Sequence, residues 1–126
     1  MIILDFFKAF DKVPHQRLLL KLQQFGIRDN VLGWIQYFLT KRSQQVLLLG
    51  TKSDEVPVTS GVPQGTVLGL LLFLVYINDI ANNIDSHMRL FADDCLSYRV
   101  IRNADAYAKL QRDISSLCGW ESTWQM

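Results

Sequence analysis

Only two cysteines, Cys95 and Cys118, stand in this 126-residue sequence. Two are too few for a disulfide framework or a cysteine zinc site, and a reducing compartment is the default expectation. Histidine is equally scarce. His15 and His87 have no ligand partners at metal-binding spacing, so both read as structural or surface residues. No charge of one sign dominates, and a net charge of +1 removes the global signature of a nucleic-acid binder. The longest apolar run, Val67 to Ile77, falls well short of the roughly 20 residues that cross a membrane, so it reads as a buried helix and no membrane partner is expected. No basic segment precedes the apolar start of the chain, so no signal peptide is expected. Repeats, low-complexity tracts and linkers are also missing.

What is present is a globular composition, 49% hydrophobic and 20% charged, in a length that suits one domain over residues 1–126. Bases outnumber acids in the first half, where Lys8, Lys12, Arg17, Lys21, Arg28, Lys41, Arg42 and Lys52 stand. Such a half could meet phosphates. It fits a solvated face of two surface helices at least as well.

Periodicity sets out the path. Ile2 to Phe6 is an apolar, β-branched run and predicts a buried strand. Pro14 suits the first turn of a helix, Leu18, Leu22 and Phe25 share one face of it, and Gly26 closes it. Val31, Ile35, Phe38 and Leu39 repeat the pattern in a second helix. Gln44 to Leu49 and Glu55 to Thr59 predict a hairpin turning through Gly50 and Ser53-Asp54. A Gly- and Pro-rich loop, Ser60 to Gly65, leads into a helix from Thr66 to Ile80. Arg89 to Ala92 and Leu96 to Val100 predict short strands, with Asp93-Asp94 in the tight turn between them. Asn103 caps a last helix whose apolar face is Tyr107, Leu110, Ile114, Leu117 and Trp124. The expected class is α+β, with helices on one face of a mainly antiparallel sheet and the second hairpin beside the first strand.

Three segments carry candidate chemistry. Asp5 sits in an apolar strand, where a buried carboxylate needs a partner or a cation; a strand-end cap explains it equally well. Asp93-Asp94 places adjacent carboxylates at a turn, where they repel unless screened. Alone this is an ordinary Asp-rich turn. Brought together from two strands, these hard oxygen donors suit Mg²⁺. In Ser60 to Gly69, glycines flank Pro63-Gln64, allowing close backbone approach ahead of a helix N-terminus.

These segments also resemble one family. LDFFKAFDKVPH resembles motif A of the reverse transcriptases of non-LTR retrotransposons, most closely the jockey type. SGVPQGTVLGLLLFLVYINDI is similar to motif B, FADD to motif C, and LQRDISSLCGWESTWQM to the helix that follows it. The resemblance implies a polymerase palm with fingers and thumb outside this chain. It implies an RNA-directed DNA polymerase acting on an RNA template, a DNA primer and deoxynucleoside triphosphates. Two Mg²⁺ ions, with Mn²⁺ able to stand in, would be held by Asp5 and Asp93, with Asp94 in support. Phe10 would exclude a ribose 2′-hydroxyl, Gln64 and Gly65 would contact the nucleotide and template, and backbone N–H groups at Phe6 and Phe7 would meet the triphosphate. Nuclear or cytoplasmic action is implied by the family alone.

The sequence departs from the family at three positions. Phe7 replaces a usual Ser, and would crowd Asp5 if the strand ran through it. Leu70 replaces a common Pro, which favours a straighter helix. Thr66 replaces Ser and keeps the hydroxyl. Phe7, Leu70 and the missing ends favour a second reading, a retrotransposon remnant that folds but does not polymerise. Intact Asp5, Asp93, Asp94, Gln64 and Phe10 favour activity. A bare metal or nucleic-acid binding module is a third reading, with poor affinity expected from the modest charge. Strand edges that fingers would cover are expected to lie open.

Overall fold

The first apolar run does become a strand, β1 (Ile2–Asp5), in the computed structural model, which describes residues 2–126. There follow α1 (Ala9–Lys12), α2 (His15–Gln24), α3 (Asp29–Thr40), β2 (Ser43–Gln44), β3 (Leu47–Leu48), β4 (Thr51–Lys52) and β5 (Val56–Pro57). The rest is α4 (Val67–Ile77), β6 (His87–Phe91), β7 (Asp94–Tyr98) and α5 (Ala104–Trp124). The arrangement is α+β, and every strand pair is antiparallel.

The main sheet has the order β1-β7-β6. The hairpin β6–β7 thus lies beside β1, as its alternating pattern predicts. Registration places Leu4 opposite Cys95 and Ile2 opposite Ser97, and Cys95 and Ser97 are buried. One step along, Asp5 faces Asp94 and Phe91 faces Asp94 from the other side, and all three are exposed. Side chains alternate across a pleated sheet, so one face is covered and the other is open.

The core lies among the helices. Leu18, Leu19 and Leu22 of α2 meet Ile35 and Leu39 of α3 and Leu72, Phe73, Tyr76 and Ile77 of α4. Helix α2 starts one residue later than its sequence suggests, with Pro14 as the extended residue before the first turn. It ends as predicted. Gly26 at φ +85° lets its own N–H reach Gln23 O and the Ile27 N–H reach Leu22 O, each at 3.0 Å. Phe25, expected on the apolar face, is instead exposed.

Two further expectations change. The first hairpin is broken in two, because β2 pairs β5 and β3 pairs β4 around a turn at Leu49-Gly50, both with positive φ. Helix α4 buries only part of its surface; Val67, Leu70, Leu71 and Leu74 are exposed. A helix apolar on every side needs neighbours on every side, and α2 occupies only one. Among the described residues no helix is long and apolar enough to cross a membrane.

Candidate active site

Asp5 ends β1 on the open face, directly opposite Asp94 in β7. The acidic pair does not share the turn. Phe91 pairs with Asp94, so Ala92 (φ +52°) and Asp93 make the turn and Asp94 is already in the strand. In this two-residue connection Ala92 takes the positive φ that Gly, Asn or Asp ordinarily fills, at a strain cost. Asp5 is exposed, so the burial argument for it fails. What replaces that argument is charge. Like charges directly opposite on an antiparallel pair are destabilising. None of the ion pairs among the described residues involves Asp5, Asp93 or Asp94. Asp5 and Asp94 thus lie at neighbouring strand ends, with Asp93 in the turn beside them, and none of the three is ion-paired among the described residues. Among the described residues no three His, Cys, Asp or Glu side chains are grouped closely enough to hold a metal ion. Carboxylates are the donor type that a hard cation takes together with waters and phosphate oxygens.

After Asp5 the chain leaves the sheet. Ala9 N–H bonds Phe6 O at 3.1 Å, and Lys8 takes the left-handed conformation at φ +54°. Phe7 is therefore in a turn, and its exposed side chain shares an open cavity with Asp5. Phe6 is half-buried and tilted against Trp120, with ring centroids 6.3 Å apart. Phe10 is also half-buried and stacks on Phe73 of α4 at 4.2 Å between centroids. Its ring is held by the core from behind.

The glycine-rich loop is fastened to the segment after Asp5. Val62 N–H donates to Phe10 O, Gly61 N–H to Val13 O and Ser60 Oγ to Asp11 O, each at 2.8 Å. This close approach requires glycine. Gly61 has φ +85°, and a Cβ there would lie 2.7 Å from Phe10 O and from the Asp11 backbone. His15 Nε2 donates to Gly61 O at 2.8 Å and Arg42 Nη2 at 2.9 Å. Buried His15 is structural, as expected, but it belongs to the loop's support. Gln64 and Gly65 then stand exposed at the turn before α4. Thr66 caps α4 by accepting the Gly69 N–H at 3.0 Å, while its hydroxyl donates to Pro63 O. Gly69 is equally constrained, since a Cβ would lie 2.0 Å from Pro63 O.

Three supporting residues are not legible as such in the sequence. Arg42 and Lys21 count there as solvated charges. Lys21 is in fact buried at 1% exposure, with its ammonium donating to Tyr76 O and Asp79 Oδ1. Asp113, also buried, accepts the Asp85 and Ser86 N–H groups at 3.1 and 3.0 Å, and the Ser86 hydroxyl. For Lys21 a signal exists: it stands among Leu18, Leu19 and Leu22 on the apolar side of α2. For Arg42 and Asp113 the partners are too distant in sequence to suggest themselves.

Residues 1–125 match the family described as reverse transcriptase (RNA-dependent DNA polymerase). The chain is 33% identical over 131 aligned residues to a probable RNA-directed DNA polymerase from transposon X-element of Drosophila melanogaster, covering 99% of this chain and 14% of that protein. It is 30% identical over 132 residues to the RNA-directed DNA polymerase from mobile element jockey of the same species, covering 98% of this chain and 14% of that protein. A Pol polyprotein from type-1 retrotransposable element R2 of Popillia japonica is 27% identical over 68% of this chain and 14% of its own length. The chain thus spans about one seventh of the length of these relatives.

Proposed function

The chain belongs to the reverse transcriptase (RNA-dependent DNA polymerase) family, and from that membership we propose that it forms the palm of a non-LTR retrotransposon polymerase that copies RNA into DNA. Residues 1–126 are one part of that polymerase domain, and the fingers and thumb are supplied by other parts of the full enzyme. The observation that carries the reading is the register of Asp5 against Asp94 on the sheet's open face, with Asp93 in the turn one residue before.

In this proposal Asp5 and Asp93 are the ligands of two Mg²⁺ ions and Asp94 supports them. When bound, such a pair activates the primer hydroxyl and stabilises the leaving pyrophosphate. The chain's own residues do the positioning. Asp5 and Asp94 concentrate negative charge where a cation would relieve it. Phe10, backed by Phe73, sets a wall on which a ribose 2′-hydroxyl would collide, favouring deoxynucleotides. Gln64 and Gly65, presented by a loop that three hydrogen bonds fasten behind Asp5, contact the incoming nucleotide and the template strand. Backbone N–H groups at Phe6 and Phe7 face the triphosphate. The chain turns after Asp5, so Phe7 does not extend the strand beside the carboxylates.

Primer extension on an RNA template with Mg²⁺ and deoxynucleotides tests this. Extension by the chain that disappears in Asp5→Asn/Asp93→Asn supports the reading. Extension that survives the double substitution contradicts it.

A further inference from the structure

We propose that Asp113 of α5 is a positioning residue that locks the register of the β6–β7 hairpin, and so keeps Asp94 opposite Asp5 and Asp93 in the turn. That these carboxylates serve polymerisation rests on the reading above; the register lock itself does not. Hairpin register has two usual determinants, and neither is strong here. The first is the turn. A two-residue turn with positive φ at its first central position is ordinarily built on Gly, whereas Ala92 takes that place at φ +52°. The second is the alternation of apolar side chains. Alternation excludes a slip of one residue, which turns every side chain over, but it does not exclude a slip of two. If β6 slid by two, Phe91 would face Leu96 and Leu90 would face Ser97, and each face would keep its residues. Asp93-Asp94 would then lie at the centre of a four-residue loop, commonly built on a type I turn with negative φ. Ser97 gives the observed register no support: at 1% exposure its hydroxyl has no hydrogen-bond partner.

The far end of the hairpin supplies what the turn lacks. Ser86 immediately precedes β6 and Arg99 immediately follows β7. His87 pairs with Tyr98, so Ser86 and Arg99 are the next opposed residues in the same register. Arg99 Nε donates to Ser86 Oγ at 3.1 Å across the two strands. Both ends then meet one buried carboxylate. Asp113, 3% exposed, accepts the Ser86 hydroxyl and, at 3.0 Å, the Ser86 N–H, with Arg99 Nη2 at 3.9 Å. It also accepts the Asp85 N–H at 3.1 Å. In the slipped register Ser86 would stand opposite Ile101, and Arg99 opposite Met88. The Arg99–Ser86 bond would break, and Asp113 would be left buried with no cation beside it. Removing the partner of a buried charge is strongly unfavourable, so Asp113 penalises the slip.

The test reads cross-strand backbone NOEs by NMR on the whole chain. The parent should show Leu90–Cys95 contacts and a single set of hairpin signals. Asp113→Ala should add a second set with Leu90–Ser97 contacts, at about a tenth of the population or more. Adding Ala92→Gly to Asp113→Ala should return the single parental set, because glycine restores the preference for the two-residue turn. A side chain that only stabilised the fold would not be compensated at the turn. Should Asp113→Ala fail to fold, Arg99→Gln unties β7 alone and should show the same second set, with the same response to Ala92→Gly. A single parental set in folded Asp113→Ala, or in Arg99→Gln where that variant takes its place, overturns the proposal. So does a second set that Ala92→Gly leaves unchanged. Failure of the polymerase reading shows separately, as primer extension that ignores the loss of Asp5 and Asp93.

Discussion

Lys21 carries a full charge into the core and is met on every side. Its Nζ lies 3.9 Å from the Trp124 ring centroid, 4.7 Å from Trp120 and 4.8 Å from Tyr76, and 2.5 Å from Asp79 Oδ1. Trp120 Nε1 donates to the same Asp79 oxygen at 2.9 Å, and the Tyr76 hydroxyl donates to Trp124 O. One ammonium thus joins α2, α4 and α5. Burial lowers its pKa and the hydrogen bond and charge of Asp79 oppose that. Breaking a buried pair by removing one partner is costly because the other charge is stranded. Asp79 remains part-exposed, so Lys21→Ala should cost about 3 kcal/mol in urea unfolding, the low end of that range. Lys21→Met should cost less, because its stem keeps packing on the rings.

Asp113 gives a residue-scale pH dependence. Burial alone would raise its pKa, but hydrogen bonds from the Ser86 hydroxyl and from the Asp85 and Ser86 N–H groups, with Arg99 nearby, hold the carboxyl below the usual range. A carboxyl depressed in the folded state binds its proton more readily when unfolded. Its stabilisation is therefore present above the ordinary carboxylate pKa and is lost as pH falls through the folded value. Asp113→Asn should remove that acid-dependent part of stability, seen as a flatter urea midpoint between about pH 5 and pH 2. Equal slopes for parent and variant would show that Asp113 is not the group that titrates.

At the scale of elements, the loop at Ser60–Thr66 depends on glycine geometry. Gly61→Ala combines a positive φ with a 2.7 Å clash against backbone, so neither strain nor crowding can relax cheaply. It should destabilise by about 2 kcal/mol or more and speed amide exchange at Val62, whose N–H reaches Phe10 O. Gly65→Ala makes the contrast: it has a positive φ but open space, so its cost should be the smaller strain term alone. A larger loss at Gly65 than at Gly61 would contradict this docking.

Elements also show where sequence reasoning holds. Helices α2, α3 and α5 are legible because their apolar residues recur at helical spacing; Asn103 does accept the Ala106 N–H at 2.9 Å and Leu110 and Leu117 are buried, whereas Val31 and Tyr107, expected on the apolar faces of α3 and α5, are exposed. Helix α1 leaves no such trace, being four residues set by the turn at Lys8. The first hairpin turns at Gly50 as expected, but with Leu49, a residue that seldom takes positive φ, and without Ser53-Asp54. The acidic pair is misread for a related reason: Ala92 takes the left-handed place that Asp93 or Asp94 would ordinarily fill.

On the scale of the whole molecule, a three-stranded sheet stands beside a helical core, with one face covered and Asp5 and Asp94 exposed on the other. Family and coarse fold are legible because long motifs and alternating patterns survive in the sequence. The supports are not, since Lys21 to Asp79, Arg42 to Gly61 and Asp113 to Ser86 are pairings that only the fold creates. Apolar side chains of α3, α4 and the first hairpin, among them Trp34, Leu71 and Leu48, also remain exposed. Surface of that kind suits contact with further polypeptide.

In the proposed function Asp5, Asp93 and Asp94 form one cation site. The most direct test is paramagnetic broadening of backbone amide signals by Mn²⁺. The account predicts broadening concentrated in residues 4–7 and 91–95 and abolished by Asp93→Asn. Broadening centred elsewhere, or indifferent to that substitution, would contradict it.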